Sequence, residues 1–194
     1  MVESLSASVM TRRKLNAEAD GDALGEVHIV AYVIGGSNGI SKALAEKIRC
    51  QVRIKRDIVE SLKCAKSRFG SINILVNNTS VSDYEMIYDF KGKKPHSVEL
   101  FKRVFVVNVW GLFNVIRLAF GLMAENKPDV NKQRSVIVNL SSTMAYKASP
   151  GMIAYNATKS AVSSMMMSLA RNVTKKGIRV VGVAPGFINT KMTG

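Results

Sequence analysis

The sequence predicts an α/β protein: a doubly wound parallel sheet between two helical layers, a three-layer α/β/α arrangement. Apolar, β-branched runs alternate along the chain with segments of helical period. The first such run leads directly into a glycine-rich turn, Gly35-Gly36-Ser37-Asn38-Gly39. The residues able to do chemistry fall just beyond the ends of the runs, where open α/β sheets bind their ligands.

In chain order, residues 1–27 are polar and form an N-terminal extension expected to be flexible, ahead of a single domain over 28–194. Arg12, Arg13 and Lys14 with several serines suit a mitochondrial presequence, whereas Glu3 and the acids of Glu18–Asp22 suit a cytoplasmic chain. His28–Ile34 reads as the first strand. Ile40, Leu44, Ala45 and Ile48 then repeat on one helical face, giving a helix over Ile40–Arg49. Cys50–Ile54 reads as a short strand. Arg56–Phe69 has helical spacing at Ile58, Leu62, Ala65 and Phe69 and stops at Gly70. Ile72–Val76 is a strand of the continuous apolar type buried on both faces. A polar loop over Val81–Pro95 precedes a long, interrupted helix over Val98–Glu125. Ser135–Leu140 is the next strand, Ile153–Lys176 a helix stopped by Gly177, and Ile178–Ala184 the last strand before Pro185-Gly186.

Composition narrows the function. Hydrophobic residues at 47% and charged residues at 22% exclude a disordered or fibrous chain. Cys50, Cys64, His28 and His96 are too few and too scattered for a disulfide scaffold or a zinc site. The apolar window Val104–Met123 is long enough to span a bilayer, but it holds Asn108, Asn114 and Arg117. A central arginine there costs about 2.5–3.5 kcal/mol on insertion scales, so a buried helix and no membrane span is the reading. Twenty-eight basic against 14 acidic residues give a net charge of +14. No acid follows Asp129, a balance that favours anionic partners such as phosphates, coenzyme A or RNA. No aromatic binding stripe accompanies it, so RNA has charge but no motif in its favour.

Two motifs carry the chemistry. A strand entering Gly35–Ile40 and then a helix lets the backbone approach a pyrophosphate at the helix N-terminus. Tyr155 and Lys159 stand one helical turn apart on one face. A free tyrosine, with a pKa of about 10, is a poor proton carrier at neutrality, and a neighbouring ammonium should lower it. Ser142, at the end of Ser135–Leu140, can hydrogen-bond the same substrate oxygen. That set suits proton exchange with an alcohol or carbonyl while a nicotinamide moves the hydride.

Together these motifs resemble the short-chain dehydrogenase/reductase family over roughly residues 28–192. The family's glycine turn resembles Ile34–Ser41, its Asn-Asn-Ala-Gly segment resembles Asn77-Asn78-Thr79-Ser80, and its catalytic asparagine is matched by Asn108. Its serine is matched by Ser142, its Tyr-x-x-x-Lys pair by Tyr155 and Lys159, and its Pro-Gly turn with a following threonine by Pro185, Gly186 and Thr190. The resemblance implies a Rossmann-like fold, with Tyr155 as acid/base, Lys159 as its modulator and ribose ligand, and Ser142 polarising the substrate oxygen. It implies that Asn108 holds a water linking Lys159 to solvent. It also implies cofactor contacts from Gly35, Ser37, Asn38, Gly39 and Ile40 at the pyrophosphate, Asn78 on the adenosine side, and Ile188 and Thr190 at the carboxamide. Val52, Pro185 and Gly186 complete the expected cofactor set.

The implied function is hydride transfer between NAD or NADP and a secondary alcohol or ketone, 3-hydroxyacyl-CoA or steroid-like, with NAD favoured. Lys42, Arg49 and Arg53 could instead attract a 2′-phosphate. A homo-oligomer joined through Val98–Glu125 and Ile153–Lys176 is expected. The alternative is a catalytically silent binding or assembly module engaging RNA or protein. Only ten residues separate Gly39 from Cys50, so one strand–helix unit of the family pattern is expected to be missing, and with it the ribose-binding acid. The substrate-lid helices that follow Thr190 in relatives are likewise expected to be absent, weakening activity. If Cys50–Ile54 takes the vacated place beside His28–Ile34, the strand order becomes 2-1-3-4-5, with Ile40–Arg49 covering one face and Arg56–Phe69 the other.

Overall fold

The protein is described from a computed structural model covering residues 7–19, 22–34, 46–49, 55–82 and 84–188. Its main sheet has six strands: β1 (Ala7–Ala19), β2 (Asp22–Ile34), β3 (Glu46–Arg49), β4 (Ile74–Asn77), β7 (Ser135–Leu140) and β8 (Ile178–Val183). Two further strands, β5 (Tyr88–Asp89) and β6 (Lys94–Pro95), form a small separate hairpin. The order across the main sheet is β3-β1-β2-β4-β7-β8. From β2 to β8 every pairing is parallel, as strands separated by helical crossovers require. β1 runs antiparallel to both of its neighbours.

That edge departs from the sequence reading in four ways. A strand, β1, lies in the segment expected to be a flexible extension, and β2 begins at Asp22 rather than His28. An antiparallel strand tolerates many polar residues because one face can be solvated, so β1 lacks the apolar run that marks a buried strand. Glu46–Arg49 is a strand, β3, where helical spacing predicts a helix, and its charged residues suit a sheet edge. The place beside β2 is taken by β1, so the order 2-1-3-4-5 is not formed. Cys50–Ile54 lies outside the described residues, as do the glycine turn and 40–45.

The helices follow the sequence closely. α1 (Lys55–Phe69) buries Ile58, Leu62 and Ala65 along one face. It ends at Gly70, whose φ of 79° and amide bond to the Lys66 carbonyl at 2.8 Å cap the last turn. The long helix is interrupted, as expected: α2 (Val98–Phe105), capped by the Ser97 hydroxyl on the Leu100 amide, passes through a π-helical stretch at Val106–Gly111 into α3 (Leu112–Ala124). This run is apolar and long enough to cross a bilayer by length and composition, yet half of its most apolar window is buried inside the molecule. α4 (Ile153–Val173) closes through a short 3-10 turn at Gly177.

Leu75, Asn77, Ser135, Ile137 and Asn139 share the buried phase of β4 and β7. Residues of α1, α3 and α4 join Leu75, Ile137 and Ile178 in one core cluster. The alternate phase, Val76, Val136, Val138 and Leu140, is half-buried.

Candidate functional site

The register aligns the carboxyl ends of the parallel strands. Ile34 pairs with Asn77, Asn77 with Asn139, and Asn139 with Gly182. The chain therefore enters the glycine turn from the same edge on which β4, β7 and β8 end. At that edge the Asn77 amide donates to the Asn139 side-chain carbonyl at 2.8 Å. Asn77 Oδ1, Asn139 Nδ2 and Thr79 Oγ1 are buried there with no hydrogen-bond partner.

Past β7 the chain stays extended at Ser142, whose hydroxyl caps a 3-10 turn by accepting the Met144 amide at 3.1 Å. Gly151, at a φ of 75°, lets the chain turn into α4; a Cβ there would run into the Tyr84 ring. Helical spacing then stacks Tyr155 and Lys159, with Lys159 Nζ 5.6 Å from the centre of the phenol ring. Lys159 is 4% exposed, and Nζ donates to the Leu140 carbonyl at 2.9 Å. The hydroxyl of Ser141 donates to the Lys159 carbonyl at 3.0 Å, a second tie between α4 and the end of β7. The Ser142 and Ser80 side chains stand beside the Tyr155 phenol and ease its ionisation.

Asn108 sits inside the π-helical stretch, 1% exposed. Its Oδ1 accepts the Val81 amide at 2.8 Å, while its Nδ2 donates to the Val81 carbonyl at 2.9 Å and to the Thr158 hydroxyl at 3.0 Å. Thr158 passes the chain on, donating to the Tyr155 carbonyl at 2.8 Å. Asn108 thus locks the turn after β4 to the helical turn bearing the phenol.

The electrostatics correct one expectation. Burial pushes the Tyr155 phenol above its usual range, and the Ser142 and Ser80 side chains only partly oppose it. Burial also lowers Lys159 to about 8, because a desolvated ammonium is costly. For the phenol, burial therefore outweighs the lowering that the i, i+4 spacing of Tyr155 and Lys159 suggests.

Tyr155, Ser142 and Lys159 converge, and Asn108 is joined to them through Thr158. Asn78 lies half-buried just past β4. Pro185 and Gly186 follow β8 beside the Ser142 turn, with the Pro185 carbonyl accepting the Thr143 amide at 3.0 Å. Ile188, 40% exposed, is further out on the same segment. Gly35, Ser37, Asn38, Gly39, Ile40, Val52 and Thr190 lie outside the described residues. Sequence reasoning missed Ser80. A hydroxyl at a strand end, where the resembled segment has glycine, is the signal that could have found it.

Residues 45–194 match the family model described as short chain dehydrogenase. The 3-hydroxyacyl-CoA dehydrogenase type-2 of Drosophila melanogaster is 37% identical over 158 residues, 80% of this chain and 62% of that protein. The Homo sapiens protein of the same name is 32% identical over 195 residues, covering 84% of this chain and 75% of its own length. Among solved structures, a 3-ketoacyl-(acyl-carrier-protein) reductase from Brucella melitensis complexed with NADH superposes with a TM-score of 0.66 at 28% identity, over 75% of this chain and 57% of that one. The chain thus spans less than two thirds of the Drosophila relative.

Proposed function

The chain belongs to the short-chain dehydrogenase family, and on that premise we propose that it transfers a hydride between NAD and a secondary alcohol or ketone. The substrate class we favour is a 3-hydroxyacyl thioester, on the strength of the relatives named for that activity.

The residues present suit the ribose and nicotinamide end of such a cofactor. Lys159 Nζ gives one N–H to Leu140, leaving two donors for the adjacent hydroxyls of a ribose. The unpartnered Thr79 Oγ1 and Asn77 Oδ1 add polar atoms at the same strand edge. When bound, the nicotinamide supplies the hydride acceptor or donor. The chain's own groups handle the proton. In oxidation, ionised Tyr155 takes the hydroxyl proton as the carbon gives up its hydride, and the Ser142 hydroxyl donates to the same oxygen. In reduction the proton returns from the phenol. Asn108, through Val81 and Thr158, keeps the two sides of this site in fixed relation.

The observation that carries this reading is the convergence of Tyr155, Ser142 and Lys159 at the carboxyl edge of the sheet. Saturating NADH should stabilise the chain against heat, by about 2.7 kcal/mol at a hundred times its dissociation constant. Tyr155→Phe should keep that stabilisation and lose about 100-fold or more of its kcat/KM. No thermal shift with NADH or NADPH removes the oxidoreductase reading.

A further inference from the structure

The chain that leaves β4 is tied to α4 on both sides of Tyr155. On one side Asn108 holds the Val81 amide and carbonyl at 2.8 and 2.9 Å and reaches the Thr158 hydroxyl at 3.0 Å. On the other, the Glu85 amide donates to the Gly151 carbonyl at 2.8 Å. Gly151 precedes Tyr155 in the chain and Thr158 follows it, so Val81 and Glu85 are fixed on either side of the phenol-bearing turn. Tyr84 stands on the second of these ties. Its ring covers Gly151, where a Cβ would run into Cδ2, Cε2 and Cζ, so glycine supplies both the φ of 75° and the seat for the ring. The remainder of the side chain is open: Tyr84 is 74% exposed, with Met86 Sδ 4.0 Å from its hydroxyl. The Glu85 carboxylate is engaged elsewhere, accepting the Ser97 amide at 2.9 Å and standing 3.6 Å from His96.

We propose that Tyr84 is a specificity-determining residue, the open part of its ring forming the wall along which the alkyl tail of a 3-hydroxyacyl substrate lies while its oxygen meets Tyr155 and Ser142. This rests on the 3-hydroxyacyl reading of the site and deepens it. Tyr84 and Met86 present a rigid ring and an adaptable thioether without charge, a surface that suits an alkyl tail and not the polar thioester arm. Gly151 lies about one helical turn before Tyr155, roughly 5 Å of rise. A four-carbon acyl chain with its 3-oxygen at Tyr155 stays short of the ring, and an eight-carbon chain crosses it. Each methylene taken fully out of water raises affinity about 4-fold, and cover on one side gives a part of that. The two ties keep the wall in place whether or not substrate is bound.

The test reads binding without turnover. Calorimetry on the chain saturated with NADH, which cannot oxidise an alcohol, measures the Kd of 3-hydroxyacyl N-acetylcysteamine thioesters of four and eight carbons. The parent should bind the longer one at least about 5-fold more tightly. Tyr84→Ala should bring the two Kd values within about 2-fold of each other by weakening the longer thioester alone. Tyr84→Phe, which keeps the ring, should retain the parental ratio. In turnover with NAD, Tyr84→Ala should raise KM for the longer substrate by about the same factor and leave kcat for the shorter one as it is. A parental ratio in Tyr84→Ala overturns the assignment, as does a lost ratio in Tyr84→Phe or a parent that does not discriminate. NADH binding is scored separately. Its absence removes the oxidoreductase reading and this assignment with it, and NADH binding with neither thioester bound removes the substrate class and the assignment together. Both thioesters bound with a ratio indifferent to Tyr84→Ala removes Tyr84 alone.

Discussion

Lys159 is the most costly residue in the site to keep charged. Its pKa in the fold, about 8, lies below its usual 10.5, so burial penalises the protonated form. Below pH 8 both folded and unfolded chains hold that proton, and the full penalty of about 3 kcal/mol applies. Between pH 8 and 10.5 the unfolded chain holds more protons than the folded one, so stability rises with pH across that window. Lys159→Met should therefore be more stable than the parent at pH 7, and the gap should narrow by about 2.5 kcal/mol by pH 10. Urea unfolding at the two pH values measures it; parallel curves would show that the amine carries no buried charge. Tyr155 acts in the opposite sense, since its raised value makes the fold lose stability as pH climbs beyond 10. At this scale the sequence was informative about partners and poor about energies. Helical spacing placed Tyr155 and Lys159 together, because a helix fixes i and i+4 whatever surrounds it, and Ser142 followed from its position at the end of the strand Ser135–Leu140. Which effect dominates the phenol depends first on burial and then on the serine hydroxyls beside it, and neither is a property of local spacing.

Glycines at helix ends show how space decides the cost of a change. Gly70 and Gly177 both hold left-handed conformations, at φ of 79° and 66°. A Cβ on Gly70 would meet nothing within 4 Å, whereas one on Gly177 would run into the Lys132 backbone carbonyl. Gly177 also fixes the approach to β7, its carbonyl accepting the Arg134 amide at 2.7 Å. Gly70→Ala should cost about 1 kcal/mol, from conformation alone. Gly177→Ala should cost distinctly more, about 2 kcal/mol or above, because conformation and clash add. Thermal unfolding of the two variants side by side is the check, and equal losses would remove the clash argument. The helices and parallel strands were legible because each buries a face with a clear period, Ile58-Leu62-Ala65 in α1 and Ile137-Asn139 in β7. The antiparallel edge was not. β3 is four residues long with three charges, and its Ile48 continued a helical spacing begun at Ile40. The β1–β2 signal was the Asp20-Gly21 dipeptide between the paired Ala19 and Asp22, a strong hairpin cue that a polar surrounding sequence hid.

For the molecule as a whole, the pairing across the sheet joins two very different kinds of contact. β4 and β7 meet through Asn77 and Asn139, 62 residues apart, so that pairing closes a long loop and carries a large entropy cost. β1 and β2 are neighbours in sequence as well as in space, and beyond Met10 β1 has β2 as its sole strand partner among the described residues. Closing the hairpin therefore costs little chain entropy, and opening it leaves the helix-backed strands intact. Deuterium should accordingly enter the amides of Thr11–Ala19 through partial opening, well before those of β4, β7 and β8. Those last amides should exchange together, only when the entire structure comes apart; identical protection in both groups would mean that the molecule melts as one piece, edge included.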